Sequence, residues 1–227
     1  RKESSAASDV YKRQTMSNEI VPLFSTPIYK TDVNVGDLDA VLKTLPYELY
    51  PDGTGYTSKD VEILLSEPFK ELKKEVDKHM NMYCFEFLKL TGCRIRHSQS
   101  WVNLHKPGNF SPKHYHSNSC YSGGVYLDVP EGSGGLVFNA SHTSPTYITG
   151  TVKPPTSEGN LFNADRWGFD VKKGDLFIFP SHLQHETDIN KTDKNRYMVA
   201  FNYFLDGQIG DDTVSYTHLR AHETDSY

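Results

Sequence analysis

The pattern of apolar and polar positions changes from helical to strand-like about 90 residues into the chain. Between residues 66 and 92, apolar side chains recur every three or four positions, which predicts an amphipathic helix of about 23 residues that packs on a sheet. Ser66 is the expected N-cap and Gly92 the stop. From Arg94 onward, short alternating runs are separated by turns rich in glycine and proline, which is typical of strands.

The segment before this helix has a mixed pattern. Residues 19–33 have strand character, but Pro22 and Pro27 interrupt them, so we expect an edge strand or an extended entry segment. Asp37 is the expected cap of a short helix that Pro46 ends. The longer helix is therefore the main helical element expected.

The later strands define the predicted fold class. In the first of them, Trp101 and Asn103 fall on one face, whereas Val102 and Leu104 fall on the other. An irregular insert extends from Ser141 to about Asp165, and loops of this length are commonly lids or disordered. Short strands at spacings of about ten residues, following a helix, predict a mainly β fold with flanking α-helices, either a β-sandwich or a jelly-roll barrel.

The two ends of the chain do not fit this pattern. Residues 1–14 and 214–227 resemble translated adapter sequence from environmental sequencing reads, so we leave them out of the predicted fold. Met16 is then the expected natural start. Residues 16–212 form a single predicted domain, without an internal repeat or a linker.

Composition and charge exclude two classes of partner. The 227-residue chain has a formal net charge of −5 and therefore lacks the basic surface that nucleic acid or an acidic membrane surface requires. No apolar run reaches the roughly 20 residues of a membrane-spanning helix. The three cysteines are an odd number without a Cys-x-x-Cys pair, which favours a reduced, cytoplasmic setting.

Histidines two residues apart mark the candidate chemistry. His114 and His116 would project to the same side if the segment that begins at Pro112 leads into a strand. His185, in the motif FPSHLQHE, is the candidate third imidazole of a metal site. Iron(II) oxygenases hold the metal through three side chains on one face and leave open positions for a cosubstrate and dioxygen. Arg196 is placed to hold an anion beside the metal, because its planar guanidinium meets a carboxylate through two hydrogen bonds.

Four motifs, in a fixed order, resemble a known family. They are SWVNLHKPGNFSPKHYH, YSGGVYLDVPEGSGGLVF, GDLFIFPSHLQH and RYMVAFN, and the likeness spans roughly residues 20 to 208. They look like the successive blocks of the 2-oxoglutarate- and iron(II)-dependent oxygenases of the His-x-His type, which are frequent in marine bacteria and their phages. The resemblance implies a double-stranded β-helix, or jelly roll, with the metal at its mouth.

The resemblance also implies roles for individual residues. His114 and His185 match metal ligands, whereas His116 stands where the wider superfamily has Asp or Glu. His116 is therefore either a third ligand, which gives a neutral site, or a neighbour of a site that water completes. Arg196 matches the residue that pairs with the distal carboxylate of 2-oxoglutarate.

Two further side chains receive cosubstrate roles from the same resemblance. Tyr126 resembles a tyrosine that donates to that carboxylate, with plain core packing as the equal alternative, and Asn103 is assigned to the cosubstrate near the metal. Gly123 and Gly124 are expected to keep the strand clear for a ligand. No catalytic side chain is expected beyond the metal centre. The histidines without a matching position are His105, His142 and His182.

The implied activity is that of an Fe(II)- and 2-oxoglutarate-dependent dioxygenase that hydroxylates a protein side chain or a small molecule. Its expected partners are 2-oxoglutarate, dioxygen and an unknown substrate. Residues 141–165 are expected to cover the site, and the chain could also form a homodimer. Two other interpretations also stay open. One is a cupin-like three-histidine iron dioxygenase that needs no 2-oxoglutarate, and the other is a non-catalytic jelly-roll binding module, such as a phage structural protein.

Overall fold

Antiparallel strands in two sheets make up most of the regular structure. The computed structural model describes residues 25–140 and 155–207. Its strands are β1 Tyr29–Asp32, β2 Tyr47–Leu49, β3 Tyr56–Ser58, β4 Cys93–His105, β5 Tyr121–Asp128, β6 Leu136–Asn139, β7 Arg166–Phe169, β8 Asp175–Pro180, β9 His185–Thr187 and β10 Arg196–Gly207. The larger sheet has the order β1-β8-β5-β10-β4-β3-β2, and the smaller sheet has the order β7-β6-β9. This arrangement confirms the predicted mainly β architecture.

The two faces of the larger sheet bury different clusters. One face packs against the helices, and its cluster includes Val102 and Leu104 of β4. The other face turns toward the smaller sheet, where Phe177 and Met198 pack with Phe138 of β6. Side chains alternate between the two clusters along β4 and β10, as the period of a strand requires.

The helices are shorter than the sequence predicts. They are α1 Asp39–Thr44 and α2 Lys70–Asn81, and α2 continues into a π-helical segment, Met82–Phe87. The two predicted caps have different outcomes. Ser66 is the N-cap residue of a 3₁₀ turn, Glu67–Phe69, that leads directly into α2, but its hydroxyl donates to the Ile63 carbonyl at 2.7 Å and makes no capping bond. Asp37 precedes the capping position of α1, which Leu38 occupies.

Two other predictions about the chain have different outcomes. β1 lies at the edge of the larger sheet, which confirms the edge strand expected from its prolines. Residues 141–154 of the predicted insert, like residues 1–24 and 208–227, lie outside the described residues. The remainder of the insert up to residue 165 contains no helix or strand. Within the described ranges, no helix is both long and apolar enough to cross a lipid bilayer.

Candidate metal centre

Three histidine side chains converge at one point between the two sheets. Candidate ligand atoms of His114, His116 and His185 all lie within 4.8 Å of one another, and this is the one such group among the described residues. The Nε2 atoms of His116 and His185 are 3.2 Å apart. His114 is exposed, His116 is half-buried and His185 is buried, so the cluster extends from the surface into the interior.

Backbone hydrogen bonds hold the loop that carries the first two histidines. His114 and His185 exchange both backbone hydrogen bonds at 2.9 Å, and the His116 N–H donates to the Ser181 carbonyl at 2.9 Å. The segment from Pro112 is therefore not a strand. The sequence analysis had placed His114 and His116 on one side only if this segment were a strand, so that condition is not met. A single antiparallel bridge between His114 and His185 of β9 instead brings the histidine loop to the third imidazole.

The hydrogen bond made by Nδ1 of a histidine ring determines whether Nε2 is free to bind a metal. His114 Nδ1 lies 2.7 Å from the Pro112 carbonyl, and His185 Nδ1 lies 2.9 Å from the Leu183 carbonyl. Because a carbonyl only accepts, Nδ1 carries the proton in both rings and Nε2 keeps its lone pair. Carbonyl partners of this kind orient metal-binding imidazoles in proteins.

His116 has a polar side chain near its ring in place of a backbone carbonyl. The side chain of Asn202 on β10 opposes part of the lowering of the pKa of His116. Because His116 Nε2 faces His185, Nδ1 is the nitrogen left on the other side of the ring. The Asn202 Oδ1 accepts from the Ser122 hydroxyl at 2.7 Å, and that hydroxyl lies 2.7 Å from Ser181 Oγ. A buried polar chain thus fixes the amide that contacts His116.

Burial keeps the two interior imidazoles neutral. It lowers the pKa of His185 to about 3 and the pKa of His116 to about 4, and the neighbouring His114 adds to both shifts. Neutral imidazole is the form that binds a metal, so these two rings need no deprotonation at pH 7. His116 Nε2 and His185 Nε2 face each other at 3.2 Å, and when His116 carries its proton on Nδ1 the two lone pairs form a donor set that a divalent metal fits.

A cavity of about 260 Å³ adjoins the histidines. Side chains from both sheets line it, most of them apolar or aromatic, and they include Trp101, Phe177, Phe179, Met198 and Ala200. Asn103 and Tyr126 also line it, as expected for residues assigned to the cosubstrate. Asp52 and Tyr50, from the loop between β2 and β3, complete the wall.

Arg196 lies behind the cavity wall and not on it. It is fully buried, and its charge acts on the neighbouring Tyr126. One terminal nitrogen donates to the Ser133 carbonyl, and the other donates to His105 Nδ1 at 2.8 Å and to the Asp188 carbonyl at 3.2 Å. Burial lowers the pKa of Arg196, but guanidinium groups stay protonated in proteins.

Four buried polar atoms in the cavity wall or around Arg196 have no partner among the described residues. They are Arg196 Nε, the Tyr126 hydroxyl, Asn103 Oδ1 and Ser133 Oγ. A buried polar group without a partner costs free energy, and the first two atoms are donors that a carboxylate would satisfy. The Asn103 amide can present its nitrogen or its oxygen, because the two orientations are assigned from partners. The residues present therefore fit a metal chelator with a second, distant carboxylate.

Two residues of this site were missed by the sequence analysis. His105 is fully buried beside Arg196, although the resemblance assigns it no role. Its place on the Trp101–Asn103 face of β4 could have indicated it, since alternate residues share a face. Asn202 follows Arg196 at an even spacing on β10 and could have been found in the same way. The other two unmatched histidines differ, because His182 is exposed and His142 lies outside the described residues.

The family comparison covers the strands that carry these residues. The sequence model of a family described as "Putative 2OG-Fe(II) oxygenase" matches residues 99–202. Those residues are similar to the 2OG-Fe(II) oxygenases. The three histidines, Arg196, Tyr126 and Asn103 all fall within the matched segment. The expected cofactor and cosubstrate, Fe(II) and 2-oxoglutarate, are those of this oxygenase family. No curated protein matches the chain.

Solved structures similar to the oxygenase domain agree on the fold. The non-heme alpha-ketoglutarate-dependent epimerase SnoN from nogalamycin biosynthesis is 16% identical, with 78% of each chain covered and a TM-score of 0.53. HygX from Streptomyces hygroscopicus, solved with nickel and 2-oxoglutarate bound, is 13% identical over 78% of this chain and 82% of its own, with a TM-score of 0.53. The carbocyclase SnoK is 12% identical over 78% and 79%, with a TM-score of 0.50. The predicted double-stranded β-helix is confirmed.

Proposed function

We propose that this 2OG-Fe(II) oxygenase hydroxylates its substrate at a metal held by His114, His116 and His185. The carrying observation is the convergence of three imidazoles, two of which have Nδ1 engaged by backbone carbonyls, beside a cavity with unpaired polar atoms. Three neutral ligands on one face leave further coordination positions for a chelating cosubstrate and dioxygen. Bound Fe(II) supplies the oxidative decarboxylation of 2-oxoglutarate to succinate, coupled to insertion of one oxygen atom into a substrate C–H bond.

The role proposed for His116 is that of the third ligand. Its Nε2 lies 3.2 Å from that of His185, and the side chain of Asn202 acts on the same ring. A ring held in this way presents its lone pair to the centre of the cluster. A site of three imidazoles contributes no charge, so the metal keeps its full positive charge toward an anionic cosubstrate.

The interior side chains are proposed to bind the far end of 2-oxoglutarate. Arg196 and Tyr126 each have one unpaired donor atom, and both atoms are shielded from water. A carboxylate between them would satisfy both donors and neutralise the buried guanidinium, which has no carboxylate partner among the described residues. Asn103 is proposed to donate its amide to the end of the cosubstrate near the metal.

The mouth of the cavity is left for the substrate, a protein side chain or a small molecule. Trp101 stacks on His116 with 5.6 Å between ring centroids, and Tyr50 and Pro51 line the opposite loop. These apolar walls exclude water from the reacting position and leave room for an apolar or aromatic group.

Anaerobic titration tests the proposal. Adding 2-oxoglutarate to the Fe(II)-loaded protein is expected to produce the weak visible charge-transfer band of the chelate, and His185→Ala is expected to abolish it. Succinate formation under air should require both Fe(II) and 2-oxoglutarate. Turnover without 2-oxoglutarate would point to a cupin-like three-histidine dioxygenase. A protein that binds neither Fe(II) nor Mn(II) by calorimetry would be a non-catalytic jelly-roll module.

A further inference from the structure

The buried guanidinium of Arg196 is held by a histidine that no motif assigns. Arg196 is the first residue of β10, and His105, the last residue of β4, is its direct cross-strand partner. The next pairs inward, Met198 with Asn103 and Ala200 with Trp101, line the cavity. The register that forms the cavity floor therefore also places His105 against Arg196, with 2.8 Å between His105 Nδ1 and a terminal guanidinium nitrogen.

The chemistry of the two side chains fixes the tautomer of His105. A guanidinium has only donors, so His105 Nδ1 accepts and the ring proton is on Nε2. Nε2 lies 3.0 Å from the Ser111 hydroxyl, and it donates to that oxygen. The Ser111 hydroxyl lies 3.4 Å from the Tyr50 hydroxyl, and Tyr50 lines the cavity. Both nitrogens of a ring that is fully buried are thus satisfied.

The neutral state of His105 follows from the same surroundings. Burial, with the adjacent positive charge of Arg196, lowers the pKa of His105 to about 3. A protonated ring would lose its acceptor and would place a second positive charge beside the guanidinium. His105 is therefore a permanent acceptor at physiological pH.

His105 and two carbonyls together restrict the guanidinium. The Ser133 and Asp188 carbonyls and His105 Nδ1 occupy three of its N–H groups, whereas Nε stays without a partner. The two carbonyls belong to loops, and His105 belongs to the central strand pair of the larger sheet. His105 is thus the partner that ties the guanidinium to the rigid part of the fold.

We propose that His105 is a positioning residue that orients Arg196 before 2-oxoglutarate binds. The inference rests on the proposed role of Arg196 as the anchor of the distal carboxylate. A donor that is already held in its binding orientation loses less side-chain freedom when the carboxylate arrives, which strengthens binding. His105 itself needs no contact with the cosubstrate.

The test moves the hydrogen-bond acceptor at position 105 toward or away from Arg196. In His105→Asn, the side-chain oxygen falls near the position of Nδ1, whereas in His105→Gln it falls near that of Nε2. The dissociation constant of 2-oxoglutarate, measured by calorimetry on the Mn(II)-loaded protein under argon, is expected to rise about tenfold or more in His105→Gln and in His105→Leu, and to stay within about threefold in His105→Asn. Mn(II) affinity should stay unchanged in all three variants.

His97→Leu is the matched control, because His97 is another partly buried histidine of β4 that does not contact Arg196. It is expected to change stability without changing the 2-oxoglutarate constant. Equal constants in His105→Asn and His105→Gln, both folded by circular dichroism, would overturn the positioning role. A wild-type protein that binds Mn(II) but not 2-oxoglutarate would instead overturn the proposed function, and the inference with it. If His105→Leu does not fold, the Asn and Gln pair decides.

Discussion

At the scale of single residues, Arg196 is a positive charge that the fold buries completely. We expect Arg196→Ala to raise the dissociation constant of 2-oxoglutarate roughly a hundredfold, because the distal carboxylate would lose its paired charge at a cost of about 3 kcal/mol. Calorimetry on the Mn(II)-loaded variant measures this change. Arg166→Ala is the control, since Arg166 is half-exposed and pairs with Glu186 on the smaller sheet. An unchanged constant in Arg196→Ala would remove Arg196 from the site.

Asn202 gives a second prediction at this scale. Replacing it by Leu removes the polar side chain that acts on the His116 ring and frees the ring to rotate away from the cluster. Partners of this kind are worth about 10- to 100-fold in metal affinity, and we expect Asn202→Leu to lose that much affinity for Mn(II). Asn202→Asp keeps an acceptor and should restore most of it. Equal affinity in Asn202→Leu and the wild type would mean that His116 is not oriented by Asn202.

At the scale of elements, strand β5 contains two adjacent glycines, Gly123 and Gly124, whose missing side chains would meet different neighbours. A Cβ on Gly123 would overlap the Phe177 carbonyl oxygen and the Phe201 ring, whereas a Cβ on Gly124 would overlap only the flexible end of Met198 and would lie 3.2 Å from the Val199 carbonyl oxygen. The expectation that both glycines clear space for a ligand therefore fits Gly124, which faces the cavity side. Gly123 is required by packing against β8 and the helix-side core.

Alanine at the two positions should accordingly give different results. We expect Gly123→Ala to lower the free energy of unfolding by about 2 kcal/mol or more, because the overlapped carbonyl belongs to a central strand and cannot move. Gly124→Ala should change it by less than about 1 kcal/mol, since Met198 can adopt another rotamer. Urea unfolding of both variants at pH 7 measures the difference. Similar losses at both sites would show that Met198 is as rigid as the backbone.

Element types were easier to predict than element ends. Alternation at Trp101, Val102, Asn103 and Leu104 identified β4 correctly, because burial on two faces imposes a period of two. The end of the long helix was not predictable in the same way. Its apolar stripe continues through Met82–Phe87, where the backbone follows a π-helical path that side-chain periodicity does not distinguish.

At the scale of the whole molecule, buried neutral histidines make stability depend on pH. Burial lowers the pKa of His97 to about 4, with Lys73 and Arg96 adding to the shift and Asp77 opposing it, while its ring packs edge-on against Tyr203. The folded protein binds a proton at His97 less readily than the unfolded chain does. The stability that this group contributes is therefore fully present above pH 6.5 and declines as the pH falls toward 4.

Urea unfolding at pH 7 and pH 5 tests this dependence. The midpoint of the wild type should fall between the two pH values, and the fall should be smaller in His97→Phe, which keeps a ring against Tyr203 but cannot titrate. The other buried histidines remain in both proteins, so the comparison isolates one group. An identical fall in the two proteins would assign the acid sensitivity to groups other than His97.

The candidate site was predictable where the motifs fall and not where only the three-dimensional fold brings groups together. His114, His116 and His185 were found because their order matches a family, and they converge in the structure. His105 could not be assigned, because its role depends on the β4–β10 register, which the sequence does not state. Arg196 was expected beside the metal, but it is fully buried and does not line the cavity, because the depth of a side chain depends on three-dimensional packing that the sequence does not state.

The register between β4 and β10 also determines which mutations this fold can accept. From Arg196 to Asn202 the pairing is unbroken, and a bulge follows only between Asn202 and Tyr203. One residue inserted before the bulge would turn every cavity side chain of β10 toward the helices. One residue inserted beyond it would disturb only the end of the strand pair. Related chains should therefore vary in length after Asn202 and in the loops, whereas the stretch from Arg196 to Asn202 should change only by substitution.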